Sequence, residues 1–160
     1  MKSGKQATST HCFVCGVQNP TGLHMHFYNV GPGEVEATYT VAEQFNGYPG
    51  IVHGGIIASM LDETMGRVFM EADPSRFMVT AELKIRYKLP VPVNTPLRIT
   101  GHRVKDSGRV GQATGEIINA DGKVLVTGEI TVVDLPGTKM TEEEMSAMGW
   151  KVYPEEDRTE

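Results

Sequence analysis

From residue 54 to residue 70 apolar side chains recur with no clean polar face. Ile56, Ile57, Met60, Leu61, Met65, Val68 and Phe69 cover most of a helical circumference. A helix apolar on most sides is expected inside a core rather than half exposed on a surface. The stretch "EADPSRF" (71–77) ends it, because proline removes a backbone donor and disfavours helix in the residue before it. Elsewhere the period shortens to two. "VEATYTV" (35–41) alternates and is rich in β-branched residues, and "GLHMHFYNV" (22–30) alternates in part, with the turn signal "GPGE" (31–34) between them. "AEQFNGYPGIV" (42–52) reads as a loop punctuated by glycine and proline. After the helix, "MVTAELKIRYKLPVP" (78–92) alternates through Leu83, Ile85 and Tyr87. "PLRITGHRVKD" (96–106), "SGRVGQATGEIINA" (107–120) and "DGKVLVTGEITVVDL" (121–135) follow, with turn signals at Asp106-Ser107-Gly108 and Asp121-Gly122. Connections this short make neighbouring strands antiparallel. The pattern predicts an α+β domain: an antiparallel sheet of five to six strands wrapped around one long central helix.

The ends read differently. Residues 1–11 are polar and are expected to form a flexible N-terminal segment, leaving 12–136 as the domain and 137–160 as a tail. Within the tail, "TEEEMSAMGW" (141–150) predicts a short helix with Thr141 as N-cap and Glu144 completing a capping box. Trp150 is placed to dock on the body.

Composition narrows the class. At 39% apolar and 22% charged, the 160-residue chain is ordinary for a globular protein. No apolar run reaches the length of a membrane span, and "MKSGKQATST" has no apolar signal region, so a cytoplasmic location without a membrane partner is expected. A formal charge of −5 and a pI of about 5.5 argue against a nucleic-acid partner. Cys12 and Cys15 are too close in sequence for a framework disulfide.

Two features do not fit a plain core helix. It opens on Gly54 and Gly55, and it carries adjacent carboxylates at Asp62 and Glu63. A helix start presents unbonded N–H groups and a positive dipole end, and glycine lets a ligand approach them closely. Asp62 sits eight residues after Gly54, roughly 12 Å of axial rise, so the two serve one site only if a bound ligand bridges them; the spacing also suits a site completed across a dimer interface, with each end of the helix serving a different pocket. Glu63 points about 100° away from Asp62 and is spaced to pair with Arg67. Ser59 and Gly66 flank Asp62 on its own stripe, where small side chains leave room for a ligand or a second subunit.

"HGG" at 53–55, Asp62 nine residues after His53, the strand "VTAELKIRYKLPVP" at 79–92 and the lead-in "CFVCGVQNPTGLHMHF" at 12–27 together carry a resemblance. Residues 12–135 resemble the hotdog-fold thioesterases, most of all the branch typified by the phenylacetic-acid-degradation thioesterase. The resemblance implies an acyl-CoA thioester hydrolase without a cofactor, acting as a homodimer or homotetramer whose central strands pair and whose active sites draw on two subunits. It implies Asp62 as general base or nucleophile, Gly54 as the oxyanion donor, His53 and Asn46 around the thioester, and Thr80 arriving from the partner subunit. Gly55, Ser59 and Glu63 would adjoin the substrate. Lys84, Arg86 and Lys88 share one strand face and are candidates for the CoA phosphates, with Arg103 and Arg109 as alternatives. Other readings keep the fold but change the chemistry, to a non-catalytic acyl-CoA binder or a dehydratase using His53 and Asp62. A different class, a zinc-binding regulatory module, would use Cys12, Cys15, His24 and His26.

Overall fold

The period-two segments form the six strands of one antiparallel sheet: β1 (Tyr28–Gly31), β2 (Glu34–Thr40), β3 (Val79–Tyr87), β4 (Pro96–Asp106), β5 (Val110–Ile118) and β6 (Val124–Val133). The computed structural model describes residues 4–137 and 139–154. The strands lie in the order β1-β2-β4-β5-β6-β3, so β1 and β3 are the edges. Gly108 and Gly122 take φ of +85° and +80° at the β4–β5 and β5–β6 turns, a region open to glycine at no steric cost. β1 is shorter than the alternation of 22–30 predicts. β3 stops before the proline-punctuated "LPVP", whose prolines have no N–H for a ladder.

Helix α1 (Gly54–Gly66) crosses the sheet and continues as a single 3-10 turn at Arg67–Phe69. It buries Ile57, Met60, Leu61, Thr64 and Met65, and with Phe27, Leu97, Ile99 and Ile117 these fill the core. The helix is not buried all round, as its apolar circumference predicted. Ile56, Ser59, Asp62, Glu63 and Gly66 form a half-exposed stripe, because one chain supplies a sheet on one side only.

The close seat of α1 on the sheet rests on a row of glycines. Gly101 on β4 pairs with Gly115 on β5, which pairs with Gly128 on β6. A Cβ at Gly101 would meet the Thr64 carbonyl oxygen at 2.8 Å, and one at Gly115 would meet Met65 Cγ at 2.8 Å. The first neighbour is helix backbone and has no rotamer with which to yield. Gly101→Ala is therefore expected to destabilise the fold by about 1–3 kcal/mol, the usual range for overpacking, read from denaturant midpoints at constant slope.

The N-terminus departs from the sequence expectation. Residues 1–3 lie outside the described residues, but residues 4–11 are fixed to the body. The Gln6 N–H donates to Phe27 O, Thr8 and Lys151 exchange N–H donors, and Ala7, Thr8 and Ser9 are buried. At the other end, α2 (Glu142–Ala147) forms with both halves of the Thr141/Glu144 capping box. Trp150 docks by donating its indole N–H to Pro74 O at 3.0 Å and meeting Phe77 edge-on at 5.0 Å. Among the described residues no helix is long and apolar enough to cross a membrane.

Candidate active site

The chain enters α1 through the loop that carries Asn46. Asn46 bridges to Val52, and the N–H of His53 donates to Phe45 O at 3.0 Å, which folds the Phe45–Asn46 loop back against the helix start. His53 is the N-cap. Its Nδ1 accepts the Gly55 N–H at 2.9 Å, and its carbonyl accepts from Ile56 and Ile57. The Gly54 N–H has no acceptor among the described residues, so it is the first-turn donor left to receive a ligand. The Gly55 N–H, by contrast, is already taken by the histidine ring. A residue that the sequence reading passed over completes this end. Tyr87 donates its hydroxyl to Gly54 O at 2.7 Å. Its position on the inward face of β3 was legible, but the hydroxyl contact depends on β3 ending beside the helix start.

Two turns along, Asp62 is half-buried on the exposed stripe. Thr80 donates its hydroxyl to Asp62 Oδ1 at 2.7 Å, and Oδ2 has no donor among the described residues. Burial pushes the Asp62 carboxyl above its ordinary range. The Thr80 hydroxyl draws it back, and the neighbouring charge of Glu63 raises it further. A carboxylate raised this way is a stronger base. Thr80 reaches Asp62 within one chain, so these two side chains belong to the same subunit. The cause is a register shift between Thr80 and Glu82. Strict alternation would put Thr80 on the face of Lys84 and Arg86, whereas the bulge turns it toward α1.

Glu63 is engaged as its spacing predicted. Its Oε1 accepts from Arg67 Nε at 2.8 Å. Arg67 is only 1% exposed. It also donates to Ala7 O at 2.8 Å and lies over the Phe27 ring at 4.3 Å. Ser59 donates back to Gly55 O at 2.8 Å, and a Cβ at Gly66 would meet nothing within 4 Å. The stripe beside Asp62 is thus small and open.

The remaining candidates do not join this group within the chain. Lys84, Arg86 and Lys88 are exposed on the sheet face turned away from α1, where with His102, Glu116 and Glu129 they line a groove of about 720 Å³. Lys84 pairs there with Glu82 at 3.2 Å. Cys12 and Cys15 do come together, but His24 and His26 do not join them, and the His24 ring is engaged by Asn19 O.

This geometry can be set beside known proteins. A sequence model described as "Thioesterase superfamily" matches residues 49–126, which span the helix start, Asp62 and Thr80. The chain is 29% identical over 127 residues to the acyl-coenzyme A thioesterase THEM4 of Rattus norvegicus, covering 79% of this chain and 54% of that one. It therefore spans about half the length of that relative. It is 30% identical over 102 residues to a candidate esterase of Saccharolobus solfataricus, covering 64% of this chain and 72% of that one. The crystal structure of a thioesterase superfamily protein superposes with a TM-score of 0.70 at 34% identity, covering 78% of this chain and 61% of that one.

Proposed function

Because the chain belongs to the thioesterase superfamily, we propose that it hydrolyses an acyl-CoA thioester to the free acid and CoA. The observation that carries this reading is the 2.7 Å bond from Thr80 to a half-buried Asp62, on the same helix whose start offers the unbonded Gly54 N–H. The carbonyl oxygen of the thioester accepts from Gly54, a backbone donor aimed where negative charge develops. Such donors are worth about 3–4 kcal/mol in other enzymes. His53 holds Gly55 and so fixes the turn that aims Gly54. Tyr87 bonds to the Gly54 carbonyl and steadies the same peptide.

Asp62 supplies the second half of the reaction. Either its Oδ2 takes a proton from water as the water oxygen bonds to the acyl carbon, or the carboxylate itself attacks and water releases the anhydride. In both routes the carbon–sulfur bond breaks and the CoA thiolate leaves to take up a proton. Thr80 holds Oδ1, which leaves Oδ2 for the chemistry. Thr80→Val removes that bond and is expected to lower kcat by about tenfold with little change in KM, the size of one hydrogen bond to a charged group. Steady-state kinetics check it.

Gly54 and Asp62 stand roughly 12 Å apart along the helix, so one thioester is served by Gly54 of one subunit and Asp62 of the next. β3 favours that assembly. It is a nine-residue edge strand, and it is exposed along most of its length. An open edge of this length is a template for pairing with a second copy. A homodimer or homotetramer follows, in which Asn46, Gly55, Ser59 and Gly66 line the space for the acyl group. Thiol release from a panel of phenylacetyl, medium-chain and long-chain acyl-CoAs tests the reading and names the acyl class. Saturable turnover of at least one member is expected. Tight binding of every member without thiol release would replace the hydrolase by a binding protein.

A further inference from the structure

One group of potential metal ligands lies outside the groups proposed to contact the thioester. Cys12 Sγ, Cys15 Sγ and a Glu63 carboxylate oxygen lie within 4.8 Å of one another. The turn "CFVCG" (12–16) builds two of these positions. The Gly16 N–H donates to Cys12 O at 2.8 Å and closes the turn. A Cβ at Gly16 would fall 2.4 Å from that same oxygen, so the turn needs glycine there. The Cys15 N–H donates to Cys12 Sγ at 3.4 Å, which fixes the two sulfurs on one side of the turn. Both sulfurs are reduced and unbridged.

Glu63 supplies the third position because its two oxygens have different partners. Oε1 is held by Arg67 at 2.8 Å, while Oε2 stands 3.9 Å from Cys12 Sγ. Tetrahedral zinc, with Zn–S of about 2.3 Å and Zn–O of about 2.0–2.2 Å, sets sulfur and oxygen about 3.6 Å apart. The observed separation needs only a small closure. We propose that Cys12, Cys15 and Glu63 bind a zinc-class divalent cation, with one coordination position left to water. Two thiolates make the site soft, which selects zinc over magnesium or calcium. Cys15 is buried, whereas Cys12 and Glu63 are half-buried, so the ion enters from their side. The histidines that the sequence offered as ligands are not needed.

The test uses the full chain, reduced under anaerobic conditions. Zinc affinity is measured by competition with a chromophoric chelator, and bound cobalt is read by its thiolate charge-transfer absorption. The wild type is expected to take one ion per chain and to give the thiolate band. Cys12→Ser and Glu63→Gln are each expected to weaken zinc by at least the roughly 10–100-fold that loss of an outer-shell partner causes, and Cys12→Ser is expected to diminish the cobalt band. Cys12 is partly exposed and serine keeps its shape, so circular dichroism should find Cys12→Ser folded even where Cys15→Ser, or Glu63→Gln with Arg67 left without its charged partner, is destabilised. Wild-type affinity no greater than that of Cys12→Ser, or a cobalt complex without the thiolate band, would overturn the site.

Discussion

Replacing Asp62 with asparagine removes turnover and leaves the fold intact: kcat/KM falls by about a thousandfold, within the range for losing a general base, while the circular dichroism spectrum and oligomeric state are unchanged. Asparagine keeps an oxygen for the Thr80 hydroxyl, which now sits 2.7 Å from Oδ1, so packing around α1 is preserved. It cannot accept a proton from water or attack a carbonyl. The raised pKa of Asp62 comes first from burial, so loss of the charge relieves a strained ionised state and the variant should be at least as stable as the parent. Acyl-CoA binding should persist in the variant, since the acyl stripe and the Gly54 N–H are untouched. A variant that turns over at the parental rate would remove Asp62 from the chemistry.

The second large effect concerns stability. Arg67→Met keeps bulk but strips the charge from a side chain that is 1% exposed. It leaves Glu63 without its 2.8 Å partner and Ala7 O without its donor. Breaking a buried ion pair from one side costs about 3–5 kcal/mol. Glu63 keeps some contact with water, so the low end, about 3 kcal/mol, is expected. For a chain of this size that lowers Tm by roughly 6–12 °C, measured by calorimetry. Adding Glu63→Gln should recover part of the loss, because the orphaned carboxylate is the main penalty and the two sites are coupled. An unchanged Tm in Arg67→Met would mean that the N-terminal strap and Glu63 do not depend on this guanidinium.

The arginine also explains the largest misreading of the sequence. Residues 4–9 carry no apolar period, and locally they read as a loose end. Their order comes from tertiary contacts: Ala7 O and the Gln6 side chain meet Arg67, and Thr8 pairs with Lys151. No window of sequence around Gln6 contains those partners. The glycine row had the same difficulty. Gly101, Gly115 and Gly128 sit on separate strands and become neighbours only through the register of β4, β5 and β6.

Other parts were legible because their causes are local. The Asp-Gly turn at 121–122 and the turn at Gly108 mark the ends of β4, β5 and β6. The capping box of α2 and the Glu63–Arg67 pair follow from spacings of three and four residues. At the candidate site the residue types were readable, but their partnership was not. Period two alone assigns Thr80 to the wrong face of β3. Only the bulge before Glu82 turns it to Asp62. Tyr87 falls in the alternation of Leu83 and Ile85, but its hydroxyl bond to the Gly54 carbonyl requires knowing where β3 ends relative to α1.

Hydrolysis, as against binding or dehydration, is tested most directly by the fate of solvent oxygen. The wild-type protein is incubated with a reactive acyl-CoA in oxygen-18 water and the products are identified by mass spectrometry. The predicted result is free CoA together with the carboxylic acid bearing the heavy oxygen. Intact thioester, or a thioester whose acyl chain has gained or lost the elements of water, would contradict it.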